Sequence, residues 1–374
     1  MGLRDPFFLP QALTEILIIK TGALGDVLRT TSILPGLHER FPDARVTWIT
    51  APSARDLVVR HRLVAETIDL NVKDAGACVL LQLELAQRAW SWVISLDDEL
   101  SLCSLAHAMR TERLSGATLG DSGERSYTGD VAAWFDMGLL SKHGKQTADR
   151  LKVQNKRSHP EIYAAMLGIS MGKPELPIPQ QTLDFGLRFA QQAKLNSRRN
   201  VIGLNTGAGG RWHSKGLPIE VVVRFVELLN TSLGGDVDFL LLGGPEEDSR
   251  NRDMLARVMQ ITPTPNMIDS GTDNSLPDFA AIVSQCDLLL TSDSLALHVA
   301  IAREVRIVSF FAPTSAAEIH LYGQGVRLRS TAPDYCSYRP DADNSSLTAE
   351  RLCAAVIQVL AGDYERDGAI DGGS

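Results

Sequence analysis

No two of the five cysteines, at 78, 103, 286, 336 and 353, stand at CxxC spacing. That excludes a thioredoxin-like redox motif and a cysteine zinc site read from spacing. Unpaired thiols of this kind fit a reducing compartment, and a cytoplasmic protein is expected. No apolar run approaches the roughly 20 residues of a membrane span. The first residues lack a basic stretch followed by an apolar one, so they do not read as a secretion signal. Positive charge is also in short supply: 37 Lys and Arg against 45 Asp and Glu leave a net charge of −8. General nucleic-acid binding needs a basic surface, so nucleic acid is excluded as a partner. What remains is an ordinary globular composition, 44% hydrophobic and 22% charged, over 374 residues, which is long enough for two domains.

The most informative stretch is 15–29, EILIIKTGALGDVLR. An apolar run over 16–19, closed by Lys20, predicts a buried parallel strand. A glycine loop over 21–26 follows, then a helix from 27 to about 40. Such an opening marks a ligand crevice at the carboxyl ends of parallel strands. The loop fits neither G-x-G-x-x-G nor Gly-Lys-Ser/Thr. It ends instead in a carboxylate, Asp26, at the expected N-cap. Two readings stand: Asp26 caps the helix, or it is a negatively charged catalytic group in the crevice.

Further strands are expected at 46–50, 92–96, 198–204, 237–242, 288–291 and 305–311. Helices are expected at 100–109, 159–167 with Pro160 in its first position, 218–233, 248–260, 276–285 and 349–360. Residues 121–127 are polar and expected as loop; 134–140 reads as a helix or an acceptor-side loop. Residues 170–188, with Pro174, Pro177 and Pro179, form the linker candidate. Two βαβ-rich halves predict a doubly wound α/β protein with a central cleft. Its domains would be 1–180 and 190–345, followed by a helix over 346–362 and a disordered tail over 363–374.

Four more loops sit at strand ends. The loop 205–215, NTGAGGRWHSK, pairs glycines that permit close backbone approach with Arg211 and Lys215, as a diphosphate requires; a tight solvated turn is the alternative. The loop 242–247, LGGPEE, places two acids where ribose hydroxyls are accepted, or where they merely favour a helix dipole. In 291–298, TSDSLALH, Asp293 or Ser294 would cap a helix and His298 lies about one turn in, as a cleft residue or a packed one. The loop 311–315 closes the series. Asp97-Asp98, also at a strand end, has no third ligand in sight and reads as a polar cleft wall rather than a metal pair.

Taken together the loops resemble glycosyltransferase family 9, the heptosyltransferases. The resemblance rests on ILIIKTGALGDVLRTTSILPGL, GLNTGAGGRWHSKGLP, LLLGGPEE and SLPDFAAIVSQCDLLLTSDSLALHVA, in that order. It implies a GT-B fold, two Rossmann-like domains with the acceptor mostly in the first and the nucleotide sugar in the second. It implies inverting transfer from an ADP-heptose-type donor, with neither a bound metal nor any other cofactor. Asp26 matches the family's base, with Lys20, Gly25 and Asp97 on the acceptor side. Thr206, Gly209, Gly210, Arg211 and Lys215 match the phosphate loop, Glu246 (or Glu247) the acid on the ribose, and Asn274 the adenine contact. Asp293, Ser294 and His298 match the donor-site Asp, Thr/Ser and His. Leu295 departs from the family's usual glycine, and Gly216-Leu217 from its usual bulky or basic residue and Trp.

The partners implied are a nucleotide-sugar donor and a glycan, lipid-linked or small-molecule acceptor, with at most peripheral contact to a membrane. The last helix would cross back to the first domain. Two rivals use the same features: a GT-B nucleotide-sugar epimerase, and a non-catalytic nucleotide-sugar-binding protein in which Asp26 is only a cap.

Overall fold

The apolar runs become the strands of two parallel sheets in a computed structural model that describes residues 13–195, 198–207, 209, 212–365 and 369–370. The first sheet holds β1 (Glu15–Ile19), β2 (Arg45–Thr50), β3 (Glu66–Asp69), β4 (Ala89–Ser95), β5 (Arg110–Leu119) and β6 (Arg125–Tyr127), in the order β3-β2-β1-β4-β5-β6. All its neighbours are parallel except β5 and β6. The second holds β7 (Asn200–Asn205), β8 (Val237–Leu241), β9 (Asn266–Asp269), β10 (Leu288–Ser292), β11 (Arg306–Phe311), β12 (Gly325–Arg329) and β13 (Ala369–Ile370). Its order is β13-β12-β11-β10-β7-β8-β9.

Both sheets thus start in the middle and reverse direction, at β1/β4 and at β7/β10. Ligand crevices form at such switch points, because the two outgoing chains diverge there. The central strands are apolar on both faces, as helix-covered parallel strands must be: Ile16 to Ile19 and Leu288 to Leu290 are all fully buried. These two Rossmann-like domains facing a common cleft constitute a GT-B architecture.

Of the strands that the apolar runs do not predict, β3, β6, β9 and β13 lie at sheet edges, whereas β5 and β12 are interior. β3 and β9 are four residues each, ETID and NMID, and are only partly buried. The stretch expected as a loop at 121–127 instead contributes β6, paired antiparallel with β5. The helix expected over 27–40 is two helices, Leu24–Thr30 and Ile33–Arg40. Pro35 explains the break, since its ring cannot follow an unbroken helix through the carbonyl four residues earlier. Residues 170–188 are not all linker. Residues 169–179 form no regular element, but Pro179 stands at the N-cap of the Gln180–Gln192 helix, a place where proline is tolerated. That helix packs on the Leu276–Val283 helix of the second domain.

The final helix, Ala349–Ala361, does not cross back. Its buried face, including Leu352, Val356 and Val359, joins the core of the second domain against the Ile219–Ser232 helix. Of the tail expected without order, residues 366–368 and 371–374 lie outside the described residues, and Ala369–Ile370 form β13, parallel to β12. The domains are joined elsewhere: the Leu24–Thr30 helix packs across the cleft on the Leu295–Ala302 helix, and Val27, Leu28, Leu297 and Ile301 share one core.

Candidate active site

The first switch point is built on a buried ion pair. Asp97, at the end of β4, accepts from the Lys20 ammonium, the Thr21 backbone N–H and, at 2.8 Å, the Thr21 hydroxyl. Lys20 also donates to the Gly22 carbonyl. Lys20 and Asp97 are both nearly buried. Their polar atoms are therefore spent on each other and on the loop, and the pair fixes the loop from which Asp26 projects.

Asp26 is not the N-cap. Ala23 is, without a side-chain cap, and Asp26 lies three residues into the Leu24–Thr30 helix. Its carboxylate pairs with Arg29 at 2.8 Å, one turn on, and its side chain is 41% exposed. Burial pushes the Asp26 carboxyl up, but Arg29, Lys20 and His298 together outweigh it and leave the pKa below the ordinary value. Asp26 is therefore ionised at neutral pH. Arg29 stands at i,i+3 spacing from Asp26, and that spacing is the signal for the pair in the sequence.

Across the cleft stand Lys215, Asp293 and His298. Lys215 Nζ donates to the Asp293 carbonyl at 2.8 Å and to its carboxylate at 3.0 Å. His298 Nε2 lies 4.0 Å from the other carboxylate oxygen, and His298 Nδ1 is buried without a partner. Burial raises Asp293, but Lys215, His298 and Arg29 bring it down to about 2. Burial and the Arg29 guanidinium push His298 down to about 4. His298 is thus neutral at pH 7.

That depression has a measurable consequence. An unfolded histidine titrates near 6.5. Between about 6.5 and 4 the unfolded chain binds the proton that folded His298 refuses, so stability falls as pH falls through this window. His298 alone contributes about 3 kcal/mol to the loss. His61 and His159 are depressed in the same direction. Thermal unfolding followed from pH 7 to 4 is expected to show a steep drop in Tm that is shallower in His298→Gln. An unchanged slope would place the proton uptake elsewhere.

The two domains meet at Gly25. A Cβ built there would stand 2.8 Å from His298 Cδ2, closer than side chains tolerate. Gly25→Ala is expected to wedge the Leu24–Thr30 and Leu295–Ala302 helices apart, at a cost of about 1–3 kcal/mol. A lower Tm with a larger radius of gyration by solution scattering would show it; wild-type values for both would mean the cleft has room to spare.

Beside this contact lies a cavity of about 360 Å³, within the range of about 300–1,000 Å³ typical of ligand pockets. Leu24 of the first domain lines it, with Asn205, Gly207, Gly209, Glu247, Asn274, Ser294 and Leu295 of the second. The Ser294 hydroxyl does not cap its helix. It lies 3.1 Å from the Thr291 hydroxyl and accepts from Asn205 at 3.2 Å, tying β7 to β10 at the second switch point. The N-terminus of the Leu295–Ala302 helix therefore faces the cavity with free N–H groups, an arrangement that suits an anion. Leu295 puts an apolar side chain on the wall where the resemblance would have glycine.

Glu247 accepts from the backbone N–H of Gly209 at 2.7 Å and of Gly244 at 2.9 Å, clamping two glycine loops together. Gly209 is in the left-handed region (φ 59°), which favours glycine. Glu246 lines a neighbouring cavity, together with Gly207, Gly209 and Arg250. Asn274 donates to the Ser270 and Gly271 carbonyls at 3.1 Å and so braces the turn on the cavity rim. Thr206 is buried, and its carbonyl and hydroxyl accept from Arg250. Arg250 and Asn205, both structural partners of the donor-side loops, were not singled out from the sequence. Gly210 and Arg211 lie outside the described residues. Among the described residues no group of three or more His, Cys, Asp or Glu could hold a metal ion.

The profile of glycosyltransferase family 9 (heptosyltransferase) matches residues 81–344. Among solved structures the chain is similar to a family 9 glycosyl transferase from Veillonella parvula, at 18% identity and a TM-score of 0.73, covering 93% of this chain and 98% of that one. It is also similar to the E. coli ADP-heptose LPS heptosyltransferase II, at 17% identity and TM-score 0.63, covering 94% and 99%. A third is E. coli heptosyltransferase WaaC with ADP-2-deoxy-2-fluoro heptose, at 16% and 0.56, covering 94% and 100%. At these identities the likeness is one of fold. No curated protein matches the sequence significantly.

Proposed function

Because the chain belongs to glycosyltransferase family 9 and is a glycosyltransferase, we propose that it moves a heptose from ADP-heptose to an acceptor hydroxyl with inversion, without a metal. The acceptor would be a lipopolysaccharide core, another glycan or a small secondary metabolite. One observation carries the reading: Asp26, ionised and held by Arg29, faces the donor-side group of Lys215, Asp293 and His298 across a closed cleft. The profile match begins at residue 81, so the role of Asp26 rests on its own geometry.

In the reaction the acceptor oxygen attacks the anomeric carbon as the bond to the diphosphate breaks. The acceptor's proton passes to the Asp26 carboxylate, and ADP leaves. A carboxylate stabilised as the anion is a weak base, which suits late proton transfer in an oxocarbenium-like transition state. Lys215 and the N–H groups at Ser294–Ala296 would meet the charge that develops on the leaving diphosphate. Closure of the two domains would keep water from the donor.

The test is incubation of ADP-heptose with and without acceptor fractions, in excess EDTA. Acceptor-dependent release of ADP at an undiminished rate is expected. Release without acceptor together with an isomerised sugar would favour an epimerase. Activity lost in EDTA and restored by Mg²⁺ or Mn²⁺ would make Asp97 and Asp98 candidate ligands. Binding without turnover would leave a nucleotide-sugar-binding protein.

A further inference from the structure

The Ala75–Leu85 helix, AGACVLLQLEL, is apolar on every side; only Gln82 and Glu84 in it are polar. A helix apolar all round belongs in an interior, with neighbours on each flank. Here only one side is covered. Cys78, Leu81 and Leu85 point into the core of the first domain, and Gln82 accepts from Ser104 of the Leu100–His107 helix beside it. On the opposite side Val79, Leu80 and Leu83 are 56%, 71% and 59% exposed. At about 100° per residue they fall, with Gly76, on an arc of about 100°, so they form one stripe. Single exposed apolar residues are ordinary, but a contiguous apolar patch marks an interaction surface.

The stripe stands apart from the candidate site. The core beneath this helix consists wholly of first-domain residues, whereas the core on the other face of the same sheet is shared with the second domain. The helix therefore lies on the side away from the cleft. Its two ends carry opposite charges. Lys73, just before the N-cap Asp74, and Glu84, in the last turn, are exposed, and neither has an ion-pair partner among the described residues. Two copies laid parallel would set Lys73 against Lys73 and Glu84 against Glu84. Laid antiparallel, they bring Lys73 of each copy to Glu84 of the other. Gly76 suits the same arrangement. A Cβ built on it would meet nothing but the Asp74 carboxylate, which leaves room for Leu83 of the facing copy, with Leu80 against Val79.

We propose that this helix face is the interface of a symmetric dimer of this chain, formed by two Ala75–Leu85 helices packed antiparallel. A two-fold interface must be complementary to itself, residue i meeting j and j meeting i. An apolar stripe with Lys73 at one end and Glu84 at the other meets that condition. An anionic membrane is a poorer occupant. It is recognised by clustered Lys and Arg, whereas Lys73 is the one cation in residues 71–87 and stands among Asp74 and Glu84. One pair of eleven-residue helices buries less than a standard interface of about 1,600 Å², so the dimer is reversible and dissociates on dilution. The inference does not depend on the chemistry in the cleft.

Sedimentation velocity of the full chain over about 1–100 µM tests this. The mass is expected to rise from 40.7 kDa to twice that value with concentration. Leu80→Glu puts like charges at the centre of the interface and should weaken association by about tenfold or more. Lys73→Glu and Glu84→Lys should each weaken it by about threefold or more. Combining the two exchanges restores both pairs with their ends reversed, and association should return to within about twofold of wild type. Thermal unfolding of Leu80→Glu at the lowest concentration should match wild type, because the side chain is mostly exposed. A wild type that stays monomeric throughout overturns the proposal; if it then floats with phosphatidylglycerol vesicles, the face belongs to a lipid surface. A dimer indifferent to Leu80→Glu overturns the assignment of this face. A dimer that Leu80→Glu dissociates, but that the combined exchange does not rescue, overturns the antiparallel pairing.

Discussion

Asp26→Asn is expected to lower turnover by about 10²-fold or more, the range of a general-base effect. The substitution keeps size and shape and removes only the charge and the proton-accepting oxygen. Asp26 makes no capping hydrogen bond, so the helix loses nothing at its N-terminus. The lost pair with Arg29 is partly exposed and contributes little to folding. Arg29 keeps its stacking on Trp134, so its position should persist. Turnover should therefore collapse while Tm and ADP affinity stay close to wild type. The measurement is ADP release from ADP-heptose in the presence of an acceptor fraction, with calorimetry of ADP alongside. Near-normal turnover in a folded variant would remove Asp26 from the chemistry and leave it as a surface ion-pair residue.

Lys215→Ala is expected to weaken ADP binding by about tenfold or more. A charge-assisted contact to phosphate contributes roughly 1.5–3 kcal/mol, which converts to that factor or somewhat above it. The Asp293 contact enlarges the effect. Asp293 is held as an anion chiefly by Lys215, and without the lysine its carboxylate would repel the diphosphate. The same variant should lose stability, since removing one partner of a largely buried pair strands the other. The double variant Lys215→Ala, Asp293→Asn separates the two causes. It is expected to regain much of the lost Tm but only part of the ADP affinity. Full recovery of affinity in the double variant would mean that Lys215 only neutralises Asp293. Equal affinities of wild type and single variant would mean that the phosphates sit elsewhere.

Much of this protein was legible along the chain because parallel sheets buried on both faces leave continuous apolar runs. β1, β4, β7, β8, β10 and β11 could all be read that way, and with them the loops at their carboxyl ends. Those loops carry Asp97, Lys215 and Asp293, and the helices that follow them carry Asp26 and His298. Edge strands such as ETID and NMID lack the run, because one side of each has no neighbour and polar residues are tolerated there. The break between the first two helices is legible in Pro35, which an unbroken helix cannot hold in its interior. The course of the last helix was not legible: an amphipathic face states that it must be buried, not against which domain.

What the sequence determined, then, was local: which segments are strands, where the glycine loops stand, and which charged residues each loop carries. The pairings across the cleft were decided by tertiary structure. Gly25 against His298, Arg29 between Asp26 and Glu318, and Lys152 over Tyr338 join residues far apart in sequence, and no periodicity links them. Their ionisation was decided there too. Asp293 and His298 are near neighbours in one loop and helix, yet their pKa values of about 2 and about 4 come from burial and from charges delivered by other loops, among them Lys215 and Arg29. Side-chain identity sets what a residue can do, but the field it sits in is set by what folding brings beside it.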